Sequence, residues 1–442
     1  MGSKSQPASG PSQAAAAGER LLLAAVVAAA LLARLVSVAA MDRPLVYDEH
    51  DYDALGWTLA STGAYASDGR PTAYRPVGYP AYVAAVYAVA GHAPRAVRVT
   101  QAFLDAAVVL LLFAALRRRH RRAAFGAAIG WAFFPPAIVY AGLLYSETLF
   151  AFLLVAAACL LVAEPGRSHG YRLLVGLLFG VLALVKPAAL IVIAFLPFLV
   201  FHGSRRWRRS LALLAGILLV IAPWAWRNAR AVGVPTLATA SSTAFLIGNH
   251  PNATGGYAPD VPASMRPAAT DEAGAAREAD RAARIYIQTH PGRFLAGIAR
   301  RWAHLLMGEG ELAVTAFHAS PERRETSYRR KVGELPPAIV LALWIPYALV
   351  LLIGLLGVLS RPRDPFAGVL LALVFAWLIV HGVTHAGGRY HAPWMPFLVA
   401  FAAEYLFAPP APRRLSLPRR LLWIAVASIC LAGWWLEAAH YR

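Results

Sequence analysis

Residues 96–122 read AVRVTQAFLDAAVVLLLFAALRRRHRR. The first part, 96–116, is an apolar run of the length that crosses a bilayer, whose hydrocarbon core of roughly 30 Å takes about 20 helical residues. It leads directly into Arg117, Arg118, Arg119, Arg121 and Arg122, the sharpest basic cluster in the chain. Arginines gathered in a short loop at the end of an apolar run mark the cytoplasmic side of a membrane protein. Outward from this stretch, further apolar runs occupy 20–40, 123–141, 144–163, 171–186, 188–202, 210–226, 336–359, 366–385, 390–408 and 420–437. Together they predict an all-α polytopic membrane protein with about eleven transmembrane helices. Pro187 predicts a tight hairpin between the fifth and the sixth.

Composition agrees. Of 442 residues, 59% are hydrophobic and 15% charged, and mean hydropathy is +0.53. A soluble domain cannot hide that much apolar surface, whereas a bilayer can. The net charge of +19 sits in short loops between apolar runs, which speaks for membrane orientation and against a nucleic-acid partner. Cys159 and Cys430 both lie within apolar runs, so neither a disulfide nor a metal site is read from them. Residues 1–19, rich in Ala, Ser, Gly and Pro, read as a disordered cytoplasmic tail. The run at 20–40 reads as a retained signal anchor, because it is long and more spans follow.

One run, 76–91 (PVGYPAYVAAVYAVAG), is ambiguous by itself. If it does not cross, every strong basic cluster falls inside: 117–122, Arg205/Arg206/Arg208/Arg209, Arg361/Arg363 and Arg413/Arg414/Arg419/Arg420. If it crosses, all of them fall outside. The charge rule therefore makes 76–91 an interfacial or re-entrant helix. The expected organisation is an N-terminal transmembrane module (20–226) carrying a first outer loop (41–95), an extracytoplasmic loop or lid (227–335), and C-terminal transmembrane helices (336–442). Within the lid, 274–306 has helical character broken at Pro291–Gly292. There is no internal repeat and no Gly-rich phosphate loop.

The densest polar constellation is Tyr47-Asp48-Glu49-His50-Asp51-Tyr52-Asp53, directly after the first span. A helix is expected from here to about Ser61, stopped by Gly63. Asp48, Tyr52, Leu55 and Leu59 would share one face. Asp48 fits an N-cap and also a catalytic acid or base, and the two roles can coexist. Arg75, in Tyr74-Arg75-Pro76-Val77-Gly78-Tyr79-Pro80, suits a bidentate phosphate contact or an interfacial belt position. Glu147, opening the fourth span after Ser146, is an acid at the outer membrane edge and a functional candidate on that ground. Lys186 before Pro187 can meet a lipid phosphate or snorkel. The lid opens with Trp226-Arg227-Asn228 and carries Gly248–Tyr257, an ordered Gly/Asn-rich turn able to present N–H groups to an anion. His381 and His385 are spaced i,i+4, which suits a metal, but no acidic or cysteine partner lies near in sequence. Arg389, at the outer edge, is followed by Tyr390 and His391.

In this order the motifs resemble those of GT-C membrane glycosyltransferases, and most of all the bacterial branch related to protein O-mannosyltransferases and to the lipid A aminoarabinose transferase. The resemblance rests on Asp48-Glu49 with Tyr52, RPVGYP at 75–80, SETLF at 146–150, KP at 186–187, PWAWRN at 223–228, GNHPNATGGY at 248–257 and RYHAPWMP at 389–396. It covers roughly residues 20–410. It implies a GT-C-like bundle that moves one sugar from a polyprenyl-phosphate donor to an acceptor hydroxyl on a lipid, glycan or protein outside the cytoplasm, with inversion. It implies catalytic roles for Asp48 (the base), Glu49 and Glu147, the last lining the same cavity. Donor or substrate binding would fall to Tyr52, Arg75, Tyr79, Lys186, Arg227, Asn249, His385, Arg389 and Tyr390. No cofactor is required and a divalent metal is optional, since the donor carries one phosphate. The 76–91 helix is expected as a wall of the groove for the polyprenyl tail. The setting is a bacterial inner membrane, with the N-terminus cytoplasmic and the site outside. Larger family members have a soluble C-terminal domain, so substrate recognition would fall to the 227–335 loop. Two rival readings are a lipid-linked polysaccharide ligase or polymerase and a secondary transporter. The latter predicts matching halves and mid-membrane charges, neither of which the sequence displays.

Overall fold

A computed structural model describes residues 13–41, 43–163, 168–199, 206–318, 325–361, 364–408 and 415–439. Helix α1 spans Gln13–Ala40. The expected tail therefore divides: residues 1–12 lie outside the described residues, and 13–19 are helical because their alanines favour continuing the helix outward. The first loop holds α2 (Asp48–Thr62), a two-stranded antiparallel ribbon of β1 (Ala66–Ser67) and β2 (Arg70–Pro71), and α3 (Gly78–Ala90). Next come α4 (Pro94–Arg117), α5 (Arg121–Ala132), α6 (Pro135–Ala141), α7 (Ser146–Val162), α8 (His169–Val185), α9 (Ala189–Leu199) and α10 (Arg206–Ala231). The lid contains α11 (Ala240–Gly248), α12 (Glu272–Thr289), α13 (Pro291–Leu305), α14 (Gly310–Phe317) and α15 (Glu325–Glu334). The chain returns through α16 (Pro337–Ser360), α17 (Pro365–Val383), a 3-10 segment (Gly388–Trp394), α18 (Met395–Phe407) and α19 (Leu417–Ala439).

Each of the eleven expected spans has a helix. Among the described residues six helices are long and apolar enough to cross alone, and seven if the bent pair α5–α6 counts as one span. The other expected spans, α7, α8, α9 and α18, are shorter, and the ends of three of them lie next to segments outside the described residues (164–167 and 200–205). The 390–408 span begins as a 3-10 turn because Pro393 and Pro396 remove helical donors. The third span breaks by 52° at Phe133–Phe134, ahead of Pro135 and Pro136. A break in a bilayer frees carbonyls that must find donors. Arg34 of α1 supplies them: its two terminal nitrogens donate to Ala132 O at 2.7 Å and Trp131 O at 2.9 Å, while its Nε pairs with Asp105 of α4 at 2.5 Å.

Close helix pairs use small residues, as membrane packing without a hydrophobic drive requires. A Cβ on Gly176 of α8 would collide with the Leu213 carbonyl of α10, and one on Gly216 of α10 with Leu173 O. Gly354 and Gly357 of α16 meet the backbone of α18 in the same way.

Helix α3 packs against α4 and α8. Its start abuts the end of α8, with Gly78 against Leu184 and Val185. Its tyrosines bond the first turns of α4: Tyr79 Oη donates to Gln101 Oε1 at 2.7 Å, and Tyr82 Oη lies 2.5 Å from Thr100 Oγ1. At 13 residues it is about 20 Å long by helix rise. The first loop, the lid and the ends of α1 and α17 gather at one end of the bundle. The arginine loops gather at the other, where Arg119 pairs with Asp364, Arg361 approaches His120 and Arg121 meets Glu19. The lid is strapped to the first loop by Glu272, which accepts from Thr72 Oγ1 (2.7 Å), Ala73 N (2.9 Å) and Thr239 Oγ1 (2.6 Å).

Candidate active site

Helix α2 runs from Asp48 to Thr62 and ends at Gly63, whose φ of 71° is the left-handed stop expected there. Its N-cap is Tyr47, not Asp48, and Tyr47 sits at φ 54°. That conformation costs energy for a residue with a Cβ and is found where a functional geometry is over-determined. The sharp entry turns Asp48 into the protein as the first helical residue. It is 1% exposed.

Two arginines divide the Asp48 carboxylate. Arg75 Nη2 donates to Oδ1 at 2.8 Å, and Arg389 Nη1 donates to Oδ2 at 2.5 Å. Each guanidinium is also held over tyrosine rings: Arg75 lies 5.5 Å from the Tyr52 centroid and 5.2 Å from that of Tyr74, and Arg389 lies 5.5 Å from Tyr145 and 5.0 Å from Tyr390. Arg75 additionally reaches Asp51 through Nε (2.9 Å) and Nη2 (2.5 Å). Burial disfavours both arginine charges, but Asp48 together with the neighbouring acids and tyrosines outweighs it, and both pKa values rise above the ordinary arginine value. Burial also pushes the Tyr52 phenol up to about 12. Near neutral pH the centre is thus two fixed cations sharing one carboxylate.

Asp48, Tyr52, Tyr74, Arg75 and Arg389 line a cavity of about 240 Å³ with Lys186, His385 and Tyr390. Apolar lining comes from Val185, Pro187 and Ala188 at the α8–α9 corner and from Trp377 and Val380 of α17, and further polar lining from Ser146, Ser241, Thr243 and His381. Of the 76–91 run only Pro76 reaches it; α3 itself packs behind, against α4 and α8, and is not the wall the sequence suggested. A second cavity, of about 100 Å³, shares Tyr257, His385, Arg389 and Tyr390 with the first and continues beneath the lid to Glu311 and Lys331.

Several residues expected in the site are elsewhere. Glu49, fully buried, has its oxygens occupied by Val46 N (3.0 Å), Leu144 N (2.8 Å), Arg43 (2.8 Å) and Arg98 (3.5 Å). It ties α2 to α4 and to the turn before α7, and does not line the cavity of Asp48. Arg227 donates to Thr72 O and Tyr65 O, each at 2.7 Å, and bonds backbone rather than facing the cavity. Asn249 donates to Phe245 O (2.8 Å) and Val383 O (2.6 Å) and accepts from Arg301 (2.9 Å), an internal clamp. Tyr79 supports Tyr52 from behind, with ring centroids 4.7 Å apart. Glu147 is set back: it accepts from the cavity residue Lys186 at 3.0 Å but itself faces a separate small cavity.

The two i,i+4 histidines do not converge. His381 Nδ1 bonds the His385 carbonyl at 2.8 Å and its ring stacks on Tyr390, while His385 Nε2 lies 3.2 Å from the Tyr390 hydroxyl. Among the described residues no group of three or more His, Cys, Asp or Glu is arranged to hold a metal. Sequence reading passed over Arg34, Asp105, Arg301 and Glu309. The first two sit inside apolar spans, where a buried charge is itself the signal; the last two lie in the polar lid, where nothing local marks them.

Against known proteins, residues 74–226 match the family described as dolichyl-phosphate-mannose-protein mannosyltransferase. A crystal structure of ArnT from Cupriavidus metallidurans bound to undecaprenyl phosphate superposes on 94% of this chain with a TM-score of 0.53 at 16% identity. The chain has the fold of the GT-C membrane glycosyltransferases. It spans 64% of the ArnT chain. The archaeal oligosaccharyltransferase AglB from Archaeoglobus fulgidus, in complex with an inhibitory peptide and a dolichol-phosphate, aligns over 94% of this chain and 56% of its own, at 16% identity and a TM-score of 0.44. No curated protein matches the sequence. The chain is a multi-pass membrane protein of GT-C architecture, and the divided carboxylate lies where its first loop, lid and α17 meet.

Proposed function

We propose that this protein is a glycosyltransferase that moves a single sugar from a polyprenyl-phosphate donor to an acceptor hydroxyl, inverting the anomeric carbon. The observation that carries this reading is the buried Asp48 held between Arg75 and Arg389 in a cavity that also presents Lys186 and an apolar wall at the membrane edge. The matched family and the undecaprenyl phosphate bound by ArnT support it.

The donor phosphate enters beside Lys186, its polyprenyl tail against the α8–α9 corner and α17. An anion there competes with Asp48 for Arg75 and Arg389. As the arginines turn to the phosphate, a carboxylate oxygen of Asp48 is released to accept the proton of the acceptor hydroxyl, while the acceptor's oxygen attacks the anomeric carbon and the bond from that carbon to the donor phosphate oxygen breaks. The arginines and Lys186 then offset charge on the departing phosphate. Three protein cations serve one phosphate, so the transfer proceeds without a divalent metal. The second cavity, sharing Arg389 and Tyr390, admits the lipid, glycan or protein acceptor from beneath the lid. The working end faces away from the cytoplasm in a bacterial inner membrane, with the N-terminus cytoplasmic, as the arginine loops dictate.

The test is release of free polyprenyl phosphate by the protein reconstituted in lipid with a panel of polyprenyl-phosphate sugars and acceptor extracts. Asp48→Asn is expected to lower turnover roughly 10²–10⁴-fold. Near-normal transfer by a folded Asp48→Asn protein would show that the base is another group.

A further inference from the structure

Behind Lys186 lies a small cavity lined by Tyr140, Glu147, Thr148 and Glu309, among others. Trp131 Nε1 and three further polar atoms of its lining residues have no hydrogen-bond partner among the described residues; the three are Tyr140 Oη, Thr148 Oγ1 and Glu309 Oε2. The three residues are 4%, 3% and 1% exposed. A buried polar atom left unpaired costs about 1–3 kcal/mol, and three around one space is more than chance misplacement provides. The cavity measures about 20 Å³, and one water needs roughly 10–15 Å³ and two to four polar partners.

Glu309 is fixed from its far side. His391 Nδ1 lies 3.0 Å from the Leu305 carbonyl, which can only accept, so that nitrogen carries a hydrogen. His391 Nε2 lies 3.0 Å from Glu309 Oε1, and one proton must occupy that contact whichever partner owns it. Oε1 is therefore committed, and Oε2 is left to the cavity. On the opposite wall Glu147 accepts from Lys186, the residue that faces the donor cavity.

We propose that this cavity is a built water site joining the Glu309–His391 pair to Glu147, and that it positions Glu147 and, through it, Lys186. When Lys186 turns from Glu147 to an anion, the water supplies the hydrogen bonds that the buried Glu147 carboxylate loses. Glu309 and Glu147 are positioning residues here. The link to the donor rests on the transferase reading, but the water site does not.

Two measurements on the full-length protein decide. The first is a thermal double-mutant cycle with Thr148→Val and Tyr140→Phe. Removing a dry, unpaired hydroxyl would leave the melting temperature unchanged or raise it, and the two changes would add. Removing one partner of a shared water lowers it by ~2 °C each, and the double variant falls by less than the sum. Additive effects of either sign overturn the shared water. The second is binding of undecaprenyl phosphate to Glu309→Gln, a residue outside the donor cavity. A fall in affinity of about fivefold is expected, and unchanged affinity overturns the link to Lys186. If the wild-type protein binds no undecaprenyl phosphate, the donor reading has failed, and the thermal cycle alone decides the water site.

Discussion

Asp48 has one carboxylate oxygen on Arg75 and the other on Arg389, and neither arginine is there for charge alone. Each is stacked over tyrosines, which fixes a planar guanidinium in a way an ammonium does not reproduce. Arg389→Lys keeps the charge but loses the fork and the stacking on Tyr145 and Tyr390. Steady-state kinetics with a polyprenyl-phosphate sugar should show the KM for donor rising about tenfold and kcat falling less, the pattern of a lost binding contact. At this scale residue type proved a poor guide to role. Asp48 and Glu49 are adjacent acids, yet one faces the cavity and the other is bound by two backbone N–H groups and two arginines. Arg227 and Arg389 both flank apolar spans, yet only Arg389 reaches the cavity.

At the scale of elements, the lid turn 248–258 is held by side chains rather than by regular structure. Arg301 joins Gly248 O and Asn249 to Gly382 O. His250 closes the turn: Asn252 N–H donates to Nδ1 at 3.3 Å, so Nε2 carries the hydrogen and donates to Ala258 O at 3.0 Å. Only the neutral ring satisfies both contacts, and burial lowers the His250 pKa below the ordinary 6.5. A histidine lowered in the folded state leaves stability intact above pH 6.5 and loses it as pH falls toward the folded value, because the open state binds the proton more tightly. The hydrogen-exchange protection factor over 249–258, with the pH dependence of intrinsic exchange divided out, should therefore fall by up to roughly tenfold per pH unit below 6.5 until the folded value is reached. His250→Asn, which does not titrate there, should flatten that dependence.

Across the whole molecule, the bundle gathers Lys186, Arg75 and Arg389 around one cavity, with a second cavity, which shares Arg389, under the lid. Lys186, Arg75 and Arg389 come from α8, the first loop and the 3-10 segment, so the cation set exists only when all three parts are assembled. Treatment of the reconstituted protein with a divalent-metal chelator is expected to leave turnover within about twofold, since protein cations carry the phosphate charge. A loss restored by one added metal would replace that account with a metal-assisted one.

The sequence by itself determined the membrane class, the positions of the helices, the α2 boundaries with their Gly63 stop, and Asp48, Arg75, Lys186, Arg389 and Tyr390 as candidates. These follow from local quantities: apolar run length, arginine placement, backbone preferences at Gly and Pro, and charge at a membrane edge. Only the tertiary structure decided which charges face a cavity and which are spent on backbone. Glu49, Arg227 and Asn249 could not be told from their neighbours, because their partners lie far along the chain: Leu144 for Glu49, Thr72 for Arg227, Val383 for Asn249. The same holds for Arg34, which holds the break between α5 and α6, and for Glu309, which meets Tyr140 and Thr148 around one cavity. A side chain's chemistry is local, but its unsatisfied hydrogen bonds are settled by whatever the fold brings within 3 Å, and spacing along the chain does not encode that.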